Sequence, residues 1–411
     1  MAISFARCFL SSVSVRSISS IAVSDSGSRL KVHLEVKGSV AKEYSSLWLR
    51  HNCQCEECYD SLSSMMKVHP NQLSEDIVIH KADIKDDVIR INWNSPNFGS
   101  HEGIIPLQWL KNLHMKQESR KDSKPLVAAS IPVLEYSDVI DSDEHTYQWI
   151  RNLNYFGICL IENAPITTDV LEKLVGKFPH VQPTTYGNYP LLYAKDDPTD
   201  LGFSTSNLHF HQDLLYYESP PGIELFHCVR RDSCVVGGEN IFLDFYPVLE
   251  ELRQEAPQYF EVLTKVPVSF QRRHYMKNDV ETPSDMSISR PHIQLDRYGE
   301  VAAVNWNTHH QEPVMLDDLD LLDSYYKAFL YMSRKIENSK YHLEHCLLPG
   351  QIIAFNNRRF LHSRNSFQLN GGFRNFHTTY VNIDYLRSQF LVLGKALGFN
   401  ESPKNIFMST L

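Results

Sequence analysis

Two short stretches of this sequence could together bind a metal ion and leave room for chemistry beside it. They are His211-Gln212-Asp213 and, much later in the chain, His362. Two imidazoles and one carboxylate on one side of an ion, with the other coordination positions open, are typical of non-haem Fe(II) oxygenases. Residues separated by one position on a strand project to the same face, so we expect His211 and Asp213 to share a strand and His362 to lie on a later one. The pattern alone is weakly specific, because His-x-Glu strings recur at His33, His310 and His342.

A second candidate metal site is marked by three closely spaced cysteines, Cys53, Cys55 and Cys58. Three thiolates can occupy three corners of a tetrahedral Zn²⁺ site, which then needs one further ligand. His101, which follows the strand-like stretch 88–93, is the first candidate, and the alternatives are His51, His69 and His80. A site closed by four protein ligands leaves no position for a substrate, so a zinc ion here would be structural. Reduced cysteines without a metal are the other interpretation.

An arginine near the C-terminus could hold a second acidic molecule. The hairpin signal Asn370-Gly371-Gly372 precedes a stretch in which period-two alternation puts Arg374, Phe376, Thr378 and Tyr380 on one face. The planar fork of a guanidinium suits the distal carboxylate of a 2-oxo acid, bound through two parallel hydrogen bonds. A structural ion pair is the alternative role for Arg374.

Length and local composition predict a small domain beside a larger one. The N-terminus contains arginine and serine and has no acidic residue before Asp25, which is typical of a mitochondrial transit peptide, with a disordered N-terminus and a cytoplasmic protein as the alternative. We predict five segments: a transit peptide (1–24), a β-rich zinc-binding domain (25–115), a polar linker (116–128), an oxygenase domain (129–398) and a C-terminal tail (399–411).

The pattern of the larger domain is mainly β with buttressing helices. Asp141 is predicted to cap a helix that Gly157 ends, and a further helix is expected around 319–336. Short apolar strands alternate with turns over about residues 200–385. This arrangement predicts a helix-buttressed β-barrel.

Composition excludes several kinds of partner. The formal charge of -9 argues against a nucleic-acid binder, which would display basic faces, and favours a cationic or neutral small substrate. No uninterrupted apolar run is long enough to span a bilayer, so we expect no membrane partner. The clustered cysteines do not resemble a disulfide framework and indicate a reducing compartment.

Taken together, these residues resemble the gamma-butyrobetaine and trimethyllysine dioxygenases of carnitine biosynthesis. The resemblance covers nearly the whole chain after residue 24, and its landmarks are Leu47 to Cys58, Trp93 through His101 to Leu110, Tyr186-Gly187, His211-Gln212-Asp213, Pro221 to Cys228, Gly237-Gly238-Glu239, and Asn356 to His362 with Arg374. It implies a double-stranded β-helix (jelly roll) preceded by a small zinc domain, and a homodimer.

The resemblance also implies a reaction and a set of ligands. Fe(II) would be held by His211, Asp213 and His362, 2-oxoglutarate by Arg374, and Zn²⁺ by Cys53, Cys55, Cys58 and His101. The substrate would be hydroxylated with consumption of O2 and release of succinate and CO2, with ascorbate as reductant. Gamma-butyrobetaine, giving L-carnitine, is the favoured substrate, and trimethyllysine or another small amine-containing acid is the alternative. An inactive family member that only binds a ligand is a third possibility, against which the intact ligand residues count.

The resemblance places a cage for a trimethylammonium group on Tyr186, Phe203 and Tyr380, whose aromatic faces would attract the cation. Three positions in the expected pocket depart from the gamma-butyrobetaine pattern: Pro190 replaces a tryptophan, Leu214 replaces an aromatic residue, and Asp200 replaces an asparagine associated with the substrate carboxylate. An ionised Asp200 would repel a carboxylate, so these positions bear directly on the choice of substrate.

Overall fold

The chain divides into two compact units, residues 1–122 and 123–411. A computed structural model describes residues 17–401 apart from 37, 96–98, 112, 114–126, 197, 199, 277–280, 297–298 and 400. The predicted linker therefore lies almost wholly outside the described residues, as do residues 1–16 of the predicted transit peptide. None of the described helices is long and apolar enough to cross a membrane.

The N-terminal unit is built from short antiparallel sheets, as the alternation of apolar residues predicts. Its elements are β1 (Ser17–Val23), β2 (Arg29–Val36), β3 (Gly38–Ser45), α1 (Ser46–His51), β4 (Tyr59–Asp60), β5 (Met65–Met66), β6 (Val78–Lys85), β7 (Val88–Ser95) and β8 (Gly99–Pro106). The sheets have the orders β1-β2-β3, β4-β5 and β6-β7-β8. Strand β1 belongs to the first sheet, so folded structure begins within the stretch predicted to be a transit peptide. Leu30, Ile91 and Trp93 lie in the buried core between these elements.

The C-terminal unit contains two sheets that form a double-stranded β-helix. The strands of the two sheets are β9 (Val133–Glu135), β10 (Ile158–Glu162), β11 (Leu191–Tyr193), β12 (Leu208–His211), β13 (Ile223–Arg231), β15 (Asn240–Asp244), β20 (His342–His345), β21 (Ile352–Asn356), β22 (Phe360–Arg364) and β24 (Arg374–Val381). The six-stranded sheet has the order β11-β24-β13-β21-β10-β9 and the four-stranded sheet the order β12-β22-β15-β20. All five residues of β21 are buried, because the strand pairs on both sides and its alternate residues pack into two apolar clusters, Ile352 and Ala354 into one and Ile353 and Phe355 into the other.

The remaining strands form three small antiparallel pairs. They are β14 (Val236–Gly237) with β23 (Phe367–Gln368), β16 (Pro267–His274) with β17 (Ser284–Pro291), and β18 (Ile293–Leu295) with β19 (Val301–Val304). A 3-10 turn at Leu201–Phe203 precedes β12.

Helices buttress the sheets, as predicted. They are α2 (Tyr136–Asp141), α3 (Asp143–Tyr155), α4 (Val170–Val175), α5 (Phe245–Glu255), α6 (Pro257–Lys265), α7 (Leu319–Glu337) and α8 (Ile383–Ala396). The predicted cap at Asp141 is wrong by one residue: Asp141 ends α2, and Ser142 caps α3 by accepting a hydrogen bond from the backbone of His145. Ser142 has the extended backbone conformation that an N-cap requires.

The segment after α8 packs more closely than a tail would. The ring of Phe399 stacks on Tyr147 with centroids 4.8 Å apart. The carboxylate of Glu401 accepts hydrogen bonds from Arg151 and from the hydroxyl of Tyr155. Residues 399 and 401 therefore belong to the folded unit, and residues 402–411 lie outside the described part of the chain.

Candidate functional site

The two predicted metal-binding histidines meet across a strand pair. His211 ends β12, and His362 is its direct cross-strand partner at the centre of β22. Both side chains are almost fully buried. The ligand atoms of His211, Asp213 and His362 all lie within 4.8 Å of one another, which allows them to hold one metal ion. We call this group the His-Asp-His cluster.

Asp213 reaches the cluster by a different route from the one predicted. Strand β12 stops at His211, and Asp213 lies in the turn that follows, so the two residues do not share a strand face. Asn357 holds this turn: its Oδ1 accepts from the backbone N–H of Asp213 at 2.9 Å, and its Nδ2 donates to the backbone oxygen of Asp213 at 3.0 Å. Sequence reasoning gave Asn357 no role, because its contact with Asp213 spans 144 positions.

Hydrogen bonds orient the ligand atoms of the cluster. The Nδ1 of His211 donates to the carbonyl oxygen of His209 at 2.7 Å, which leaves Nε2 as the lone-pair donor. Oδ2 of Asp213 accepts from the hydroxyl of Tyr380 at 2.6 Å, and its Oδ1 lies 3.3 Å from Nε2 of His211 and 3.9 Å from Nε2 of His362. The set therefore presents two imidazole nitrogens and one carboxylate oxygen, the donors that suit Fe(II).

Burial and mutual contacts set the charges of these groups. Burial raises the pKa of Asp213, but the two imidazoles and the hydroxyl of Tyr380 outweigh burial and hold this pKa below its usual range. Burial and the neighbouring His211 lower the pKa of His362 to about 3, so His362 is neutral at physiological pH. An ionised carboxylate and a neutral imidazole are the protonation states that metal ligation requires.

Glu224 is a buried carboxyl beside the cluster that sequence reasoning did not assign. It lies on β13 and is fully buried, and neither of its oxygens has a hydrogen-bond partner among the described residues. Its Oε2 lies 4.0 Å from Nδ1 of His362. Burial and the nearby carboxylate of Asp213 raise the pKa of Glu224 well above its ordinary value.

Arg374 begins β24 and is also buried. Its Nη2 donates to the backbone oxygen of Gly238 at 2.9 Å, and its guanidinium lies over the ring of Phe376 at 4.3 Å. Among the described residues no carboxylate forms an ion pair with Arg374, and its Nε has no hydrogen-bond partner. Burial and the nearby cation of Arg364 lower the pKa of Arg374 to about 9. The described residues therefore do not form the structural ion pair that was the alternative role for Arg374. A buried cation that lacks a counter-ion is suited to binding the carboxylate of a ligand.

One cavity, the central cavity, contains both the His-Asp-His cluster and Arg374. The predicted cage residues Tyr186, Phe203 and Tyr380 line it, and so do Asp200, Pro190 and Leu214. The hydroxyl of Tyr186 donates to Asp200 at 3.0 Å, so this ring is positioned by a carboxylate. Sequence reasoning missed other residues of the wall, among them Asn240, Arg272, Asn307, His309 and Arg364, because they come from elements distant in sequence.

The second predicted metal site is also assembled. Sγ atoms of Cys53, Cys55 and Cys58 lie 3.5, 3.7 and 3.4 Å from Nε2 of His101. In a tetrahedral zinc site, Zn–S and Zn–N bonds of ordinary length place sulfur and nitrogen about 3.5 Å apart. The Cys3His cluster is therefore compatible with a zinc site, and His101 is the histidine that joins the cysteines.

The surroundings of the Cys3His cluster leave little space. His101 on β8 is the cross-strand partner of Trp93 on β7, and their rings stack with centroids 5.8 Å apart. A Cβ atom on Gly103 would lie 2.2 Å from Sγ of Cys53, so only glycine fits there. Burial raises the pKa of the Cys53 thiol to about 12 and so disfavours the thiolate. A metal ion would offset this effect by binding the thiolate.

Two family models match this chain. Residues 119–380 match the family described as "Taurine catabolism dioxygenase TauD, TfdA family", and residues 21–111 match "Gamma-butyrobetaine hydroxylase-like, N-terminal". The chain belongs to the TauD, TfdA dioxygenase family. It is an Fe(II)- and 2-oxoglutarate-dependent dioxygenase of the gamma-butyrobetaine dioxygenase type, as the sequence predicts.

Individual relatives are similar over most of their length. The chain is 27% identical to a gamma-butyrobetaine dioxygenase of Pseudomonas sp. (strain AK-1), covering 85% of this chain and 90% of the relative. It is 24% identical to the mitochondrial trimethyllysine dioxygenase of Homo sapiens, covering 88% and 86%. Among solved structures, a taurine dioxygenase from Burkholderia xenovorans matches with a TM-score of 0.45 and 14% identity, covering 63% of this chain and 89% of that one.

Proposed function

We propose that this enzyme hydroxylates an unactivated C–H bond of a small acid bearing a trimethylammonium group, as a step of carnitine biosynthesis. One molecule each of substrate, 2-oxoglutarate and O2 would give the hydroxylated product, succinate and CO2. This proposal depends on the observation that one cavity contains the His-Asp-His cluster, the rings of Tyr186, Phe203 and Tyr380, and a buried Arg374 that has no carboxylate partner among the described residues. Relatives named for gamma-butyrobetaine and for trimethyllysine support this substrate class.

His211, Asp213 and His362 would hold the Fe(II). The bound metal would supply the redox chemistry by which O2 and 2-oxoglutarate are consumed. The protein residues would keep the ligand set in place: Tyr380 and Asn357 fix Asp213, and the carbonyl of His209 fixes the tautomer of His211. These contacts orient the ligand atoms, as the hydrogen-bonding partners of metal ligands do.

Arg374 would bind the distal carboxylate of 2-oxoglutarate. In the described part of the chain its Nε has no hydrogen-bond partner and its Nη2 has one, the backbone oxygen of Gly238, so the fork can donate two hydrogen bonds to a carboxylate. The ring of Phe376 and the wall of the cavity would exclude water from this ion pair and so strengthen it.

The rings of Tyr186, Phe203 and Tyr380 would surround the trimethylammonium group, which has no N–H to donate and is attracted to aromatic faces. An uncharged analogue in which a tert-butyl group replaces the trimethylammonium group tests this cage, because it fills the same volume without charge. We expect the enzyme to use the cationic substrate at least about tenfold better, a difference typical of cation-π contacts in a desolvated site. Equal use of the two compounds would mean that the pocket is merely apolar.

Gamma-butyrobetaine and Nε-trimethyllysine are the two candidate substrates. The first is the one that the sequence resemblance favours. The second is favoured by Asp200 and Arg272, which bring opposite charges to the wall of the cavity. Incubation of Fe(II)-loaded protein with 2-oxoglutarate, ascorbate and each compound, with succinate and hydroxylated product measured together, tests the function. Absence of substrate-stimulated succinate formation with every trimethylammonium acid would contradict it and favour an inactive binding protein.

The Cys3His cluster would hold a structural Zn²⁺, since its four ligands leave no open position.

The enzyme would act in mitochondria, which the composition of residues 1–16 and the mitochondrial trimethyllysine dioxygenases among its relatives support. It would form a homodimer and use ascorbate to keep its iron reduced, both of which are carried over from the family resemblance.

A further inference from the structure

Asp200 and Arg272 bring opposite charges to the wall of the central cavity. Asp200 caps the 3-10 turn Leu201–Phe203, and its Oδ1 accepts a hydrogen bond from the backbone of Gly202 at 2.8 Å. Arg272 lies on β16 and its Nη2 is 3.7 Å from Oδ2 of Asp200. The cavity therefore has a carboxylate and a guanidinium side by side, in addition to Arg374 and the His-Asp-His cluster.

Protein contacts fix the positions of both groups. Glu281, whose side chain is fully buried, accepts hydrogen bonds from Nε of Arg272 at 3.0 Å and from its Nη2. The hydroxyl of Tyr186 donates to Oδ2 of Asp200. Among the described residues, Nη1 of Arg272 has no hydrogen-bond partner. Arg272 is therefore held rigidly by one edge while its other nitrogen remains available to a ligand.

The charges of this wall suit a zwitterion. Asp200 and Glu281 carry two negative charges around the single positive charge of Arg272. Nδ1 of His274 lies 3.9 Å from Oε2 of Glu281. Asp200 can accept a further hydrogen bond from a cation, and Nη1 of Arg272 can donate to an anion. A quaternary ammonium has no N–H and so cannot form the first contact. An α-amino acid has an ammonium and a carboxylate on one carbon atom, and so can form both.

We propose that Asp200 and Arg272 form a binding subsite for the head group of an α-amino acid substrate. Asp200 accepts hydrogen bonds from the α-ammonium group, and Nη1 of Arg272 donates to the α-carboxylate. This subsite rests on the proposed function, because the same substrate would bind its head group here and extend its trimethylammonium end toward the aromatic rings of the cavity. The substrate class is thereby narrowed: Nε-trimethyllysine has this head group, whereas gamma-butyrobetaine has no α-ammonium.

Binding can be measured apart from turnover by calorimetric titration of Fe(II)- and 2-oxoglutarate-loaded protein without oxygen. The probes are Nε-trimethyllysine, its analogue that lacks only the α-amino group, and gamma-butyrobetaine. We expect the wild-type protein to bind trimethyllysine at least about tenfold more tightly than the other two, since a hydrogen bond to a charged group is lost with each of them. Equal binding of trimethyllysine and the analogue without the α-amino group would overturn the subsite.

Two variants connect this preference to the named residues. Asp200→Asn removes the charge, keeps Oδ1 as acceptor for the backbone N–H of Gly202, and places an Nδ2 donor where the hydroxyl oxygen of Tyr186 can accept. The preference should therefore fall by about tenfold without a change in thermal unfolding. Arg272→Lys keeps the positive charge and loses the planar guanidinium. It should weaken the binding of all three probes, because each has a carboxylate. The matched control is Asp285→Asn, which removes an exposed carboxylate 3.5 Å from Arg273 and should leave binding unchanged.

The outcomes separate the subsite from the proposed function. An undiminished preference in Asp200→Asn, together with unchanged binding of all three probes in Arg272→Lys, would refute the subsite, even if trimethylammonium acids stimulate succinate formation. Conversely, a preference lost in Asp200→Asn and weaker binding of all three probes in Arg272→Lys would support the subsite even if no probe stimulated succinate formation, and only the proposed function would then fail. If Asp200→Asn does not fold, the wild-type comparison of the three probes and Arg272→Lys decide.

Discussion

The hydroxyl of Tyr380 donates a hydrogen bond of 2.6 Å to Oδ2 of Asp213. Tyr380 belongs to β24 of the six-stranded sheet and Asp213 to the turn after β12 of the four-stranded sheet, so this contact joins the two sheets at the His-Asp-His cluster. Tyr380 is therefore more than an aromatic wall of the cavity. Its ring faces the proposed substrate site, while its hydroxyl positions a candidate metal ligand.

Tyr380→Phe separates these two roles, because it keeps the ring and removes only the hydroxyl. We expect the affinity for Fe(II) to fall about 10- to 100-fold, as is typical when a group that orients a metal ligand is lost. Calorimetric titration of the protein with Fe(II) measures this affinity. Tyr193→Phe, which removes another hydroxyl from the wall of the same cavity, is the matched control and should leave Fe(II) affinity unchanged. Unaltered affinity in Tyr380→Phe would show that the hydroxyl has no positioning role.

Asp213→Ala should remove iron and leave zinc. The cluster would lose its only carboxylate, so the variant should show no substrate-stimulated succinate formation, while the Cys3His cluster in the other unit is untouched. Elemental analysis of the purified protein reads both metals at once. Asp232→Ala removes a partly exposed carboxylate paired with Arg230 and serves as the control. Undiminished substrate-dependent succinate formation in Asp213→Ala would disprove the assignment.

Cys55→Ser should lower the zinc content and the thermal stability of the N-terminal unit, because the binding of a structural metal is coupled to folding. Zinc analysis and thermal unfolding are the measurements. Cys234→Ser, which changes an exposed cysteine of the C-terminal unit, should alter neither. Less than stoichiometric zinc in the wild-type protein, together with an unchanged unfolding temperature in Cys55→Ser, would contradict the zinc site.

Arg374→Lys keeps the positive charge and loses the planar fork. We expect it to raise the 2-oxoglutarate concentration needed for half-maximal activity by about tenfold or more, because a bidentate contact becomes a single one, with little effect on Fe(II) affinity. Arg231→Lys is the matched control, since Arg231 is the cross-strand partner of Arg374 and does not line the cavity. Wild-type dependence on 2-oxoglutarate in Arg374→Lys would exclude the proposed role.

The sequence by itself determined the local features of this protein and its family. Closely spaced Cys53, Cys55 and Cys58 indicated a metal site, because three thiolates so near to one another limit what they can bind. Period-two alternation placed Arg374, Phe376, Thr378 and Tyr380 on one face of a strand, and all four line the cavity. The ordered motifs from Leu47 to Arg374 identified the dioxygenase family, which the family matches confirm.

Only the tertiary structure decided how distant residues meet. The turn that presents Asp213 is held by Asn357, the buried Glu224 lies beside His362, and Asp200 lies beside Arg272. Such contacts depend on strand register and on packing between sheets, which local periodicity does not encode. From the sequence, an ionised Asp200 is expected to repel a carboxylate. In the folded chain a guanidinium from β16 stands next to it, because the hairpin of β16 and β17 brings Arg272 to the wall of the cavity.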